Sequence, residues 1–243
     1  MINTTQFIVF HSIKYRESDL LISAYTASHG RQTFLLPRSR TAKKQGAAAR
    51  IFPLNILDAE VYYKAKAPIH YIKTLQPAIG LNGLRSNLYK SSIALFLGEI
   101  LYKSIKEEEA NLPLYQFLKE SIQTLNDLTC SVANFHLYFL VQLCGHLGYA
   151  PLLNYHPEKT PLFDMAQGAF VASGTRSDFL FSKEESLLLS QLSGLTEASE
   201  AAHLPLNGAQ RHQCVMRIIH YLHYHLGFSL DIKSPDVLRQ LFQ

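Results

Sequence analysis

An α+β chain, with a small β barrel first and a helical domain after it, is what three observations predict. Residues 5–77 hold short runs of β-branched and aromatic residues separated by turn signals. After Pro77 the apolar spacing becomes helical. Charge divides at the same place: residues 1–77 carry a net +7 and residues 78–243 a net −3, within a chain total of +4. The expected domains are therefore 1–78 and 79–243.

The strands follow in order. TQFIVFHSI is the first, KYRESD a loop, and LLISAYT the second. ASHGRQ places Gly30 where a hairpin needs positive φ. QTFLL is the third strand, FPLNILDAEVYY the fourth and PIHYIKTLQP the fifth. Between the third and fourth lies LPRSRTAKKQGAAAR, with five cations and no acid. Five short strands with one long connection suggest a small closed barrel of the oligonucleotide/oligosaccharide-binding (OB) type.

Past Pro77, residues 84–109 place Leu88, Ile93, Leu97 and Leu101 at helical spacing. LPLYQFLKESIQTLNDL is a second amphipathic helix. VANFHLYFLVQLCGHL is apolar on most sides, hence central, with Ser131 available as its cap. Residues 149–181 break the pattern with Pro, Gly and Asn and read as an irregular insertion. SKEESLLLSQL restarts a helix, with Ser182 and Glu185 in capping-box spacing. AQRHQCVMRIIHYLHYHLG is a long helix, and SPDVLRQLF a short last one with Ser234 as its cap.

Several function classes drop out. Residues 128–157 contain no Asp, Glu, Lys or Arg, yet the helix within them is about 16 residues, short of the ~20 that span a bilayer. No basic segment precedes an apolar run at the N-terminus, so no signal peptide is expected. Cys130, Cys144 and Cys214 form no CxxC pair, which fits a reducing cytoplasm. The chain has no phosphate loop, no GxGxxG after a strand, no HExxH and no GxSxG. Asp58 and Glu60 read as solvent-facing strand positions, and Glu107, Glu108 and Glu109 as a solvated helix end. His220 and His223 share a helix face, but His225 does not, and no thiol or carboxylate completes a metal site. Cys144 and His146 are sequence neighbours in the most apolar helix, which predicts an inert thiol.

Recognition is the chemistry that remains. The barrel supplies cations at Lys14, Arg16, Arg31, Arg38, Arg40, Lys43, Lys44 and Arg50, a candidate nucleic-acid-binding set. Its rings are Tyr15, Tyr25, Phe34, Tyr62, Tyr63 and Tyr71, about half of which should point inward. Tyr15, in a loop between Lys14 and Arg16, is the candidate for base stacking; Phe34 is assigned to the core. Gly and Ala in residues 36–50 predict a pliable loop that can follow a strand without fixed register.

Together these residues resemble the RecO family of bacterial recombinational repair proteins. The markers are YRESDLLISAYTASHGRQTFLLPRSR, with Glu17, Ser18, Asp19, Thr26, Gly30 and Arg31; IFPLNILDAEVYY; LCGHLGYAPLLN followed by FDMAQGAFV, with Phe163, Asp164 and Gly168; and YHLGFSLDIKSPDVLRQLF, with Gly227, Lys233 and Ser234. The likeness spans almost the whole chain. It departs at one place: many members carry two CxxC-type pairs where residues 149–181 stand here, and these bind zinc. This segment has no cysteine, and His156 cannot replace four thiolates, so the expectation is no zinc and no other cofactor.

The resemblance implies a non-enzymatic mediator in the bacterial cytoplasm, associated with the nucleoid during repair. Such proteins bind single- and double-stranded DNA, anneal complementary strands and act with RecR. They contact the acidic tail of single-stranded-DNA-binding protein (SSB) and help recombinase replace it. For that tail, helical cations at Lys90, Lys103, Lys119, Arg211 and Arg217 are candidates. An RNA-binding or regulatory OB-fold module is the alternative, and an enzyme with an unrecognised site a third reading.

Overall fold

A computed structural model describes residues 2–16, 19–37, 50–64 and 67–242. The chain forms two compact units, Met1–Asp127 and Leu128–Gln243. The first three helices therefore pack with the barrel, whereas the change in sequence periodicity falls after Pro77.

In the first unit, β1 (Ile2–Tyr15), β2 (Asp19–Thr26), β3 (Gly30–Leu36), β4 (Ile56–Tyr62) and β5 (His70–Pro77) close in the order β1-β2-β3-β5-β4. β1 is long enough to serve two ladders: Ile2–Ile8 pair with β4, and Phe7–Tyr15 pair with β2. β3 and β5 run parallel, closing the ring through Phe34↔His70 and Leu35↔Tyr71. Closure gives every strand of the ring two neighbours, the β3–β5 seam being the shortest.

The barrel interior holds Phe7, Val9, Ile22, Ala24, Phe34, Leu36, Leu57, Ala59, Val61 and Ile72. Phe7 and Phe34 stack inside it at 4.7 Å between ring centroids. The opposite faces of β1 and β2 are buried too: Ile8, Phe10 and Tyr25 are covered from outside. This explains why FIVF is apolar on both faces.

Helices α1 (Asn82–Ser86), α2 (Leu88–Ser104) and α3 (Leu112–Asp127) complete this unit. The sequence run 84–109 thus splits, because the Asn87 side chain caps α2 by accepting from Tyr89 N and Lys90 N. α2 approaches β1 so closely that a Cβ on Gly98 would lie 2.9 Å from Phe10 O and 2.7 Å from Pro53 Cβ. From α3, Tyr115 donates to Gln6 Oε1 at 3.0 Å.

The second unit is built on α4 (Phe135–His146), α5 (Lys183–Gly194), α6 (Gly208–Leu226) and α7 (Pro235–Leu241), with a 3-10 turn at Glu200–His203. Asn134, not Ser131, precedes α4, and its amide bonds elsewhere; Ser234 makes no side-chain cap bond to α7. The Ser182–Glu185 capping box forms as the spacing predicts. A second box, Asn207 with Gln210, opens α6.

The insertion 149–181 is less irregular than its sequence suggests. β6 (Leu162–Asp164) and β7 (Ala169–Val171) pair as a hairpin. Asp164 is buried and accepts from Ala166 N at 2.9 Å, setting the turn. Asn154 brackets Phe170, donating to its O at 2.9 Å and accepting from its N at 3.0 Å. Phe163 is fully buried, with Phe170, Phe181 and Tyr221 edge-on at 5.1, 5.2 and 5.5 Å. No helix among the described residues is long and apolar enough to cross a membrane.

Candidate nucleic-acid interface

The site begins with register. Lys14 pairs with Leu20, and Leu20 pairs with Leu36. Residue 38, where the cationic stretch starts, lies two positions beyond Leu36. The exposed Lys14 and Arg16 therefore stand at the barrel corner from which that stretch departs. Arg16 adopts φ 53°, and its guanidinium lies 5.2 Å from the Tyr15 ring centre. The Tyr15 ring is partly buried and shares its surroundings with this cation. The other end of the stretch is fixed as well: Arg50 donates from Nη1 to Leu75 O on β5 at 3.0 Å, and its own O accepts from Asn55 Nδ2 at 2.7 Å. Arg38, Arg40, Lys43 and Lys44 lie outside the described residues, as do Glu17 and Ser18, and so does the expectation of a pliable loop.

Arg31 occupies a different environment. Its Nε donates to Ser23 Oγ at 3.1 Å, and its Nη1 donates to Tyr102 O at 2.8 Å and Ile105 O at 2.7 Å. The guanidinium also stacks 4.6 Å from the Tyr102 ring centre. Burial lowers its pKa, opposed by Tyr102, Glu108 and Glu107. This cation fastens the end of α2 to β2 and β3. Gly30 belongs to the same joint. It sits at φ 60°, and a Cβ there would collide with Glu109 O and stand 2.8 Å from Glu107 O. The three-glutamate segment thus contributes its backbone to the hairpin, with its side chains exposed. Thr26 completes the turn, donating to Gly30 O and accepting from His29 N.

Of the rings, Tyr25 and Phe34 are buried, and Tyr63 stacks on His70 at 4.4 Å and lies 4.7 Å from His29. Tyr62 and Tyr71 face solvent. Asp58 accepts from Gln6 Nε2 at 2.9 Å, and Glu60 pairs with Lys73 at 3.2 Å. That Lys73 hydrogen bond holds the Glu60 carboxyl below its ordinary value.

The helical cations divide similarly. Lys90 is buried and donates to Asn126 O at 2.7 Å. Arg211 is buried, donating to Asn134 Oδ1, Phe242 O and Leu206 O at 2.8 Å each. Lys103 pairs with Glu99 at 3.5 Å, and Lys119 is partly exposed. Arg217 binds Glu185 at 2.8 Å on the rim of an apolar groove of about 560 Å³ between α5 and α6.

Other candidate chemistry is closed off. Burial pushes the Cys144 and Cys214 thiols up to about 12, far from a nucleophile's range. His225 bonds to Met165 O at 2.9 Å, stacks on Tyr149 and meets Tyr221 edge-on, apart from His220 and His223. Zinc does not fit the insertion. His156 uses Nδ1 to accept from Glu158 N and Lys159 N at 3.2 Å, and packed phenylalanines fill the segment. Among the described residues, no group of three His, Cys, Asp or Glu side chains could hold a metal ion.

Two family models match the chain: Recombination protein O N terminal over residues 1–79 and Recombination protein O C terminal over residues 85–234. Proteins called DNA repair protein RecO are similar along their full length. The one from Bacteroides fragilis is 34 % identical over 246 residues, with 100 % of both chains covered. Those from Porphyromonas gingivalis and Phocaeicola vulgatus are 32 % and 31 % identical, with the same complete coverage of each chain.

Proposed function

The chain belongs to the RecO family of DNA repair proteins, and on that footing we propose that it is a non-enzymatic mediator that binds single- and double-stranded DNA and anneals complementary strands. The observation that carries this reading is the barrel corner, where Lys14↔Leu20↔Leu36 brings Lys14 and Arg16 to the start of the cationic stretch. Annealing makes and breaks no covalent bond. It requires two polyanions to approach with their repulsion screened, and a dense set of cations with few acids does this by displacing counterions. Lys14, Arg16, Arg38, Arg40, Lys43 and Lys44 are the phosphate-neutralising set. Arg50 borders it, whereas Arg31 is committed to the joint with the end of α2.

The same reading places the protein in the bacterial cytoplasm, acting with RecR and the SSB tail to load recombinase. The groove beside Arg217 supports this with its apolar lining, and its cation is paired with Glu185, which an acidic tail would have to displace. No zinc or other cofactor takes part.

The test is a variant with Arg38, Arg40, Lys43 and Lys44 all changed to Gln. Annealing of complementary oligonucleotides should slow, and the salt slope of single-strand binding should flatten by up to about 2.8, at ~0.7 per contact. Wild-type affinity and slope in that variant would refute the assignment.

A further inference from the structure

Five-stranded barrels of this type read single strands on the face of strands 2 and 3. In this chain that face is closed: Tyr25 is 1 % and Leu35 4 % exposed, and Arg31 bonds to Tyr102 O and Ile105 O at the end of α2. The outer side of β4 and β5 remains open. Tyr62 is 47 % exposed and Tyr71 50 %, and they stand directly opposite each other in the antiparallel ladder. Ile2, 48 % exposed, stands opposite Tyr62 on β1. These three apolar side chains form one row across three strands. Lys64 and Lys73 flank the row, with Glu60 the acid beside Lys73.

We propose that the Ile2–Tyr62–Tyr71 row is the platform on which unpaired bases of a single DNA strand stack. The proposal rests on the DNA-binding reading above and deepens it. Directly opposed side chains in a sheet lie about 4.5–5.5 Å apart at Cβ, so the two phenol rings offer adjacent surfaces to successive bases. Every base has a π face, so this recognition is tolerant of sequence, and it requires bases free of their complement. The flanking lysines suit the phosphates between those bases. Lys73 is paired with Glu60, but both are about 40 % exposed, and a surface pair of this kind exchanges readily for a phosphate. The division of labour is then physical: the corner cations set salt dependence, and the tyrosine row distinguishes a strand with bases from one without.

The experiment compares wild type with a Tyr62→Ala/Tyr71→Ala double variant and a Tyr62→Phe/Tyr71→Phe control. Binding of labelled oligo-dT and of an abasic phosphodeoxyribose oligomer of equal length is measured across salt concentrations. The alanine variant should lose about 30-fold or more in affinity for oligo-dT, keep its affinity for the abasic oligomer, and keep the wild-type salt slope. The phenylalanine control should retain oligo-dT affinity, and all three proteins should unfold at the same urea concentration. Unchanged preference for oligo-dT over the abasic oligomer in the alanine variant overturns the proposal. So does an equal loss on both oligomers, or loss of a protein partner's binding with DNA affinity untouched. Failure of the underlying reading looks different: wild-type protein would then show no salt-dependent affinity for either oligomer.

Discussion

The two compact units stabilise their irregular parts by different means. In the barrel unit, the ring of strand pairing supplies the frame, and one glycine and one arginine join the β2–β3 hairpin to the end of α2. In the second unit, the hairpin at 162–171 has only three residues per strand and cannot stand alone. A cluster of aromatic rings holds it instead. The buried arginines show the same contrast. Arg31 binds carbonyls at the rim of a barrel that is already closed. Arg211 is the centre of a network that joins Asn134, Leu206 and Phe242, with Asn134 extending it to Ala201 O and Leu204 O. Where backbone pairing closes a ring, polar side chains decorate it. Where strands are short, side chains must do the joining.

The largest expected effect probes the aromatic cluster. Phe163→Ala should cost about 3–5 kcal/mol, because a fully buried ring leaves a cavity that three edge-on neighbours cannot fill. Added zinc should not restore the loss, and metal analysis of tag-free protein should find well under one equivalent. A urea unfolding curve with and without zinc reads the stability loss and its response to metal. Retained stability would show that the cluster is not what holds the hairpin.

Next comes the barrel joint. Gly30→Ala should cost about 3 kcal/mol, combining left-handed backbone strain with a collision against backbone that cannot retreat freely. Chemical denaturation reads it directly. A cost near that of an ordinary surface substitution would mean that the Glu107–Glu109 backbone yields.

A pH experiment separates the units further. His136 is completely buried, and burial with the Arg211 cation nearby pushes its imidazole down to about 3. The folded value is depressed, so protons bind the unfolded chain preferentially. The stability it contributes is fully present above the unfolded pKa near 6.5 and is lost as pH falls toward about 3. Between pH 7 and 5 the loss from this residue is about 2 kcal/mol. His11, His70 and His146, also lowered chiefly by burial, act in the same sense. A His136→Asn variant should show a flatter decline over that range. A slope identical to wild type would remove His136 from this role.

The smallest stability effect is expected at the barrel corner, where function should change instead. Lys14→Gln with Arg16→Gln should alter stability by no more than about 0.5 kcal/mol, since both side chains are exposed. The same pair should flatten the single-strand salt slope by about 1.4. Parallel unfolding and binding titrations decide it, and a stability loss without a slope change would reverse the assignment.

Much of this was legible in the chain. All five barrel strands were, because alternation and turn residues are local signals, although β1 runs further and β4 starts later than the sequence suggests. The Ser182 capping box was legible for the same reason. The 162–171 hairpin was not, since its strands are too short to show a period, and the Asn154 and Asp164 bonds that define it join residues whose types are common in loops. The barrel cations are visible in the sequence, but nothing local in it distinguishes Arg31 from Arg16.

Sequence alone determined the order of elements, the basic N-terminal third and the absence of thiolates for zinc, because composition and periodicity are properties of the linear chain. Tertiary structure alone decided which cations and rings remain available. Arg31, Lys90 and Arg211 are drawn into backbone carbonyls, Tyr25 is covered, and Tyr62 and Tyr71 are left open. The reason is that burial depends on what packs against a residue from distant parts of the chain. A strand's alternation names two faces but cannot say which of them a helix will cover.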